Sequence, residues 1–133
     1  MAIKRGFTCG AFDLLHAGHC LMLEEAKKQC DYLIVGLQID PSIERDYKHK
    51  PIQTVEERYI QLKSCKYVDE IWSYKTEADL VKMLKTIKPD IRIIGEDWRG
   101  RQFTGHELPI EVYYNSRSHN YSSSELRNRI KNG

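Results

Sequence analysis

The chain has 133 residues and a mass of 15.6 kDa, the size of one domain, and its 41% hydrophobic and 30% charged residues are ordinary for a folded globular protein. Twenty-one basic against nineteen acidic residues leave a formal charge of +2, which argues against a broad polyanion-binding face and so against nucleic acid as a partner. No apolar run approaches the roughly 20 residues that cross a bilayer, which argues against a membrane role.

Along the chain, short apolar runs alternate with amphipathic segments. Ile3 to Thr8 reads as a first strand ending at Gly10, and His19 to Cys30 as a helix with Leu23, Ala26 and Cys30 on one face. Tyr32 to Ile39 is nearly continuous apolar sequence, which suits a strand covered on both faces. Asp40 to Pro51 is polar and reads as a loop. Thr54 with Glu57 makes a capping box, followed by a helical stripe of Val55, Tyr59 and Leu62. Glu70 to Tyr74 is a third strand. Leu80, Leu84 and Ile87 mark a third helix that must stop before Pro89. Ile91 to Ile94 and Ile110 to Tyr114 are the fourth and fifth strands. A last helix starts within Ser122 to Ser124 and turns Leu126 and Ile130 inward.

Strands alternating with helices predict an α/β domain over residues 1–133, with a five-stranded parallel sheet and helices on both faces. Ligands of such sheets sit beyond the carboxyl ends of the strands, so the loops after the first, second, fourth and fifth strands are the ones to inspect. Cys9, Cys20, Cys30 and Cys65 contain no C-x-x-C pair, and no secretory leader is evident. Reduced thiols packed as small hydrophobes in a cytoplasmic protein are the expectation.

Directly after the first strand comes GAFDLLHAGH, Gly10 to His19. Gly10 and Gly18 allow a tight turn and close approach of a ligand to the backbone. Exposed N–H groups and the positive end of the helix dipole favour an anion there. His16 and His19 stand three apart, so both imidazoles can address the same point. Two alternatives compete: a structural pair of histidines, and a zinc site of His-x-x-His spacing that lacks an obvious third ligand nearby in sequence.

This segment resembles the H-x-G-H signature of the nucleotidyltransferase superfamily, which includes cytidylyltransferases and adenylyltransferases. The resemblance implies a Rossmann-like three-layer domain in which His16 and His19 contact the triphosphate and stabilise the transition state. It places Thr8, Cys9, Gly10, Ala11, Phe12 and Gly18 around the nucleotide. Ala11 stands where most cytidylyltransferases carry threonine, so one hydroxyl near the phosphates is missing.

Three further loops resemble the same family. Asp40, Lys48 and Lys50 follow the second strand and Arg58 lies in the next helix; Lys50, with Lys48, would clamp phosphates while Asp40 and Arg58 lie near the acceptor. KYVDE, Lys66 to Glu70, resembles R-Y-V-D-E, which assigns Lys66 to the acceptor phosphate. GEDW resembles G-[DE]-D-W, which assigns Gly95, Asp97 and Trp98 to the nucleoside pocket. SRSHNYSSSELR partly matches R-T-x-G-[IV]-S-[ST], placing Arg117 on the β,γ-phosphates and Ser122 and Ser123 at a second helix start, with His119 and Asn120 departing from the pattern.

Taken end to end, the resemblance is greatest to the compact glycerol-3-phosphate cytidylyltransferases. It implies transfer of CMP from CTP to a small phosphorylated acceptor with release of pyrophosphate, Mg²⁺ carried on the triphosphate with no resident metal site, and a homodimer. The rival on the same scaffold is an adenylyltransferase using ATP on a sugar phosphate or similar acceptor. A rival of another class is a regulatory module that binds a nucleotide without turnover. A flavodoxin-like domain fails, because its phosphate loop is rich in Ser/Thr and lacks paired histidines.

Overall fold

The structure, a computed structural model, describes residues 2–116, 119 and 121–133. Among these, β1 (Arg5–Gly10), β2 (Tyr32–Gln38), β3 (Glu70–Tyr74), β4 (Ile91–Gly95) and β5 (Glu111–Asn115) form one sheet in the order β3-β2-β1-β4-β5. Every pairing is parallel. The connections carry α1 (Ala17–Lys28), α2 (Val55–Lys63) and α3 (Glu77–Ile87), and α4 (Ser123–Asn132) closes the chain. The fold is α/β and Rossmann-like, as the alternation of segments predicts.

Side-chain alternation on β1 and β2 builds two cores. Leu33, Val35 and Leu37 meet Leu23 and Ala26 of α1 and Leu62 of α2 on one face, joined by Ile91 and Ile93. Phe7 and Ile34 meet Leu80, Met83, Leu84 and Ile87 of α3 on the other. Burial on both faces explains why β2 reads as an unbroken apolar run rather than an alternating one. Reversal of strand order about β1, whose neighbours are β2 and β4, opens a crevice at the carboxyl edge, where doubly wound sheets bind ligands.

Several boundaries and faces differ from the sequence reading. Helix α1 begins at Ala17 with His16 as its N-cap, so the histidine pair straddles the cap. The polar loop contains a 3-10 turn, Pro41–Ile43, capped by Asp40. In α2 the capping box of Thr54 and Glu57 forms, yet Tyr59 is exposed and the inward side chains are Leu62 and Arg58. Periodicity overlooked an arginine whose polar end is satisfied inside. Ile130 is 73% exposed and no residue of α4 is fully buried, which corrects the inward pair assigned there. All four cysteines are free; Cys20 is exposed and the other three are half-buried, so they are not uniformly core residues.

Candidate functional site

The turn between β1 and α1 is held by backbone strain and by one carboxylate. Phe12 and Leu14 both adopt left-handed φ, near 51° and 52°, which bulky side chains rarely accept. Asp13, buried beneath them, accepts hydrogen bonds from the N–H groups of Ile52 (2.8 Å) and Gln53 (2.9 Å) and from Nη2 of Arg127 (2.9 Å). The Gln53 amide oxygen in turn accepts from Leu14 N–H at 2.8 Å. The turn is thereby tied to the segment before α2 and to α4 at once, and nothing in the sequence pattern singled out Asp13 for this.

His16 and His19 stack with ring centroids 3.9 Å apart and planes 25° from parallel. Nδ1 of His16 accepts the Gly18 N–H at 3.0 Å, and Nδ1 of His19 accepts the His16 N–H at 3.3 Å. Those two bonds assign the proton of each neutral ring to Nε2. The Ser123 hydroxyl donates to the Asp13 carbonyl and lies 3.3 Å from Nε2 of His16, so its oxygen is placed to accept from that nitrogen. With both Nδ1 atoms occupied by backbone N–H groups, the pair suits donation to an anion better than zinc ligation. Among the described residues there is no group of three His, Cys, Asp or Glu side chains placed to share a metal.

Burial lowers the pKa of His19 to about 4, with the adjacent His16 ring acting in the same direction and Asp13 opposing. In the free protein this ring is therefore a neutral Nε2–H donor at pH 7. Gly18 is obligatory for the stack: a Cβ there would come within 2.8 Å of His16 Cε1 and 3.0 Å of the Tyr121 carbonyl. Gly10 carries no such demand, since a Cβ would meet the Phe12 ring at an ordinary 3.4 Å.

Both rings line a cleft of about 440 Å³ across the carboxyl edge of the sheet. Thr8, Cys9, Gly10, Gly18, Gly95, Asp97, Trp98, Ser122 and Ser123 line it too, so the loops after β1, β4 and β5 converge as expected, while the loop after β2 contributes only Arg45. The GEDW segment forms a 3-10 turn, Glu96–Trp98, directly after β4. Ser122 caps α4 by accepting the Glu125 N–H at 3.1 Å. Met22, Gln38, Arg45, Tyr74, Glu77, Arg92, Phe103, Thr104, Asn115, His119 and Tyr121 also line the cleft without having been foreseen as its residues. Most sit alone in sequence with no motif around them, so no pattern could have found them; the exceptions are His119 and Tyr121, inside SRSHNYSSSELR, and Arg92, a charge inside an otherwise apolar strand.

Other predicted residues stand elsewhere. Arg58 is 2% exposed, and its guanidinium donates to the carbonyls of Ala11, Gln38, Ile39, Gln53 and Thr54 at 2.6 to 3.3 Å. Such saturation leaves it nothing to offer an acceptor: Arg58 is a staple beneath the loops, which corrects its assignment to acceptor binding. Burial lowers its pKa, with Asp13 and Asp40 opposing. Asp40 turns its carboxylate onto Ser42, at 2.9 Å from N and 2.6 Å from Oγ, and lies outside the cleft lining. Those bonds hold its pKa below the usual carboxylate range.

Lys66 lies in the connection from α2 to β3, where Asp69 N–H bonds Leu33 O near the start of β2. That is the amino edge of the sheet, away from the cleft, and the Lys66 ammonium rests over the Tyr67 ring, 5.2 Å from its centroid. Its acceptor role is therefore corrected for this site. Lys48 and Lys50 are exposed on the loop after β2 and, like Ala11 and Phe12, stand outside the cleft lining. Phe12 packs its ring 5.3 Å from that of His19, supporting the stack from behind. Arg117 and Asn120 lie outside the described residues.

Known proteins resemble this chain along nearly its whole length. The cytidylyltransferase-like family model matches residues 7–129. The bifunctional protein HldE of Helicobacter pylori is 36% identical over 126 residues, which cover 94% of this chain and 27% of that protein. HldE of Campylobacter fetus is 35% identical over the same shares. The chain thus spans about a quarter of the length of the curated relatives it matches. Among solved structures, a lipopolysaccharide core biosynthesis protein from Thermoplasma volcanium superposes with a TM-score of 0.71 at 29% identity, covering 90% of this chain and all of that one. A pantoate-β-alanine ligase from Francisella tularensis shares the fold, with a TM-score of 0.65 at 18% identity over 95% of this chain and 65% of that one.

Proposed function

The chain belongs to the cytidylyltransferase-like family, and from that footing we propose that it is a nucleotidyltransferase that joins a nucleoside monophosphate to a phosphorylated acceptor and releases pyrophosphate. The observation that carries this reading is the stacked His16–His19 pair, set over the N-terminus of α1 inside the cleft at the carboxyl edge. A phosphomonoester is largely ionised at neutral pH and needs no general base. Its oxygen attacks the α-phosphorus, the bond from that phosphorus to the bridging oxygen of the β-phosphate breaks, and pyrophosphate departs. The obstacle is repulsion between anions and the charge that gathers on the α-phosphate, so positioning and electrostatic neutralisation supply the catalysis.

The chain's own groups fit that demand. His19 donates to the reacting phosphate from Nε2, and His16 does so when a phosphate oxygen replaces Ser123 Oγ as the partner of its Nε2–H, assisted by the N–H groups and dipole of α1. Thr8, Cys9, Gly10 and Gly18 border the nucleotide, Ala11 and Phe12 complete that turn from outside the cleft lining, and Ser122 and Ser123 add a second helix start. Asp97 and Trp98, beside Gly95, take the nucleoside. Lys50, with Lys48, reaches the phosphates from the exposed loop after β2, and Arg117 belongs with the β,γ-phosphates. Mg²⁺ would travel on the triphosphate oxygens and neutralise part of their charge.

For the nucleotide and acceptor, the reading drawn from the motifs was CTP with glycerol 3-phosphate. The HldE relatives favour the adenylyltransferase alternative, ATP with a sugar phosphate. A solved relative named for lipopolysaccharide core biosynthesis, whose chain is covered completely, points to saccharide chemistry in the same way. A homodimer remains part of the proposal.

The test is pyrophosphate release with ATP, CTP, GTP and UTP against glycerol 3-phosphate and a panel of aldose 1-phosphates. ATP with an aldose phosphate should turn over fastest. Preference for CTP and glycerol 3-phosphate would restore the other reading, and nucleotide binding without pyrophosphate from any pair would identify a regulatory module instead.

A further inference from the structure

The loop between β2 and α2 is fixed at both ends and tethered at one place between them. At its start, the carbonyls of Gln38 and Ile39 accept from Arg58 at 2.7 and 2.6 Å, and the Ile39 N–H donates to the Tyr74 carbonyl. At its end, Ile52 and Gln53 donate their N–H groups to Asp13. Among the described residues, the hydrogen bonds from residues 40–51 to the rest of the domain all go to Glu77, the first residue of α3. The Glu44 carboxylate accepts the Glu77 N–H at 2.9 Å, and Arg45 donates through Nη2 to Glu77 Oε1 at 2.7 Å. Residues 46–50 are exposed and carry one turn bond, from the Lys48 N–H to the Arg45 carbonyl.

The side-chain half of this tether is easily exchanged. Arg45 and Glu77 are 31% and 24% exposed, and they meet through one nitrogen and one oxygen rather than as a two-pronged fork. Single-bonded pairs in partial contact with water contribute little to stability. An arginine that meets phosphate forms short charge-assisted bonds, two at a time where the geometry allows. Glu77 does not depend on Arg45 to keep its charge, because it stands in the first turn of α3, where the positive end of the helix dipole favours a carboxylate. The balance therefore favours phosphate over Glu77 as the partner of Arg45.

Placement adds a second argument. Of residues 39–54, all of them described, Arg45 alone lines the cleft, and its partner Glu77 lines it as well. Lys48 and Lys50 follow three and five positions later on the exposed stretch and stand outside that lining. The loop thus shows the cleft a single cation while its tether holds the two lysines out.

We infer that Arg45 is a partner-switching residue: it pins the 40–51 loop to Glu77 until a nucleotide enters, then trades Glu77 for triphosphate oxygens so that the loop closes over the cleft. The inference rests on the nucleotidyltransferase reading, and it assigns to Arg45 and Glu77 a latch that sets how readily Lys48 and Lys50 arrive.

The experiment cuts the latch from each side. Endoproteinase Lys-C cleaves after Lys48, and mass spectrometry follows that cut in wild type, E77Q and R45Q. Calorimetry with α,β-methylene analogues of ATP and CTP, in the presence of Mg²⁺, gives triphosphate affinity. K85Q, a charge change on the exposed side of α3, controls for the general field, and melting curves establish folding. Both latch variants should be cut about fivefold faster than wild type, and the analogue should slow the cut in wild type and in E77Q. Affinity should then split: E77Q binds the analogue as tightly as wild type or tighter, whereas R45Q binds it tenfold or more weakly and K85Q stays within about twofold.

A pair that serves structure alone would weaken binding alike from both sides, and that result overturns the inference. So does an unchanged rate of cutting in E77Q. Affinity in R45Q equal to that of K85Q also overturns it, an outcome that serves even if E77Q does not fold. Failure of wild type to bind either analogue overturns the latch and the nucleotidyltransferase reading together. Binding and cutting that follow these expectations without pyrophosphate release would overturn the proposed reaction alone, and pyrophosphate release from a wild type whose variants break the pattern would overturn the latch alone.

Discussion

Asp13 and Arg127 meet at 2.9 Å across 114 positions of sequence, joining the histidine turn to the last helix. The carboxylate side chain is 7% exposed and the arginine 30%, so the pair is partly shielded from water and sits under the strained backbone of Phe12 and Leu14. Because Asp13 also accepts from Ile52 and Gln53, three segments lose their common anchor if it goes.

The Asp13→Asn variant should lose roughly 3 kcal/mol of stability, the cost of breaking a buried charged network from the carboxylate side. Arg127→Ala, cut from the more exposed side, should lose about 1 kcal/mol. Urea unfolding checks both. Equal losses would mean that the backbone contacts of Asp13 contribute little.

Removing either imidazole should lower kcat by about two to four orders of magnitude, the scale for lost donors to developing charge. His16 is also the N-cap of α1, so alanine would confound a catalytic loss with a folding one. Asparagine is a good cap, and His16→Asn should keep its melting temperature while losing turnover. Retained turnover in both His16→Asn and His19→Asn would remove the histidines from the chemistry.

Stability of the ligand-free protein should fall as pH drops from 6.5 toward 4. Over that interval an unfolded His19 binds a proton that the native ring, with its pKa lowered to about 4, does not take up. Unfolding is therefore favoured by up to about 3 kcal/mol at the acid end, and the effect is absent above pH 7. In His19→Gln the acid loss should shrink accordingly. Adding inorganic pyrophosphate should raise the His19 pKa, which NMR of the ring protons would follow.

Arg58→Lys should destabilise the fold by roughly 2 to 4 kcal/mol, since an ammonium cannot satisfy five carbonyls spread around a planar group. In the folded fraction the acceptor KM should stay within about twofold. A large rise in that KM with unchanged stability would return Arg58 to the acceptor.

Much of the fold was written in local pattern. The apolar run of β2, the capping box at Thr54 and the stop before Pro89 each depend on neighbouring residues, and each forms as read. The histidine turn was legible for the same reason, because glycine and imidazole spacing fix the chemistry of one short loop. Lys66 and Arg58 were misplaced because a motif gives identity and order but no side of the sheet. KYVDE sits at the amino edge, and the α2 arginine points down into carbonyls rather than out toward a ligand.

By itself the sequence determined an α/β alternation and an anion-binding turn with paired histidines, since both arise from interactions within a few residues. Tertiary structure decided the tautomers of those rings, the anchoring of their turn by Asp13, and the pairing of Arg45 with Glu77. Those depend on burial and on partners tens of residues away, and charge, hydrogen bonding and proton affinity change with burial in ways that residue order does not encode locally.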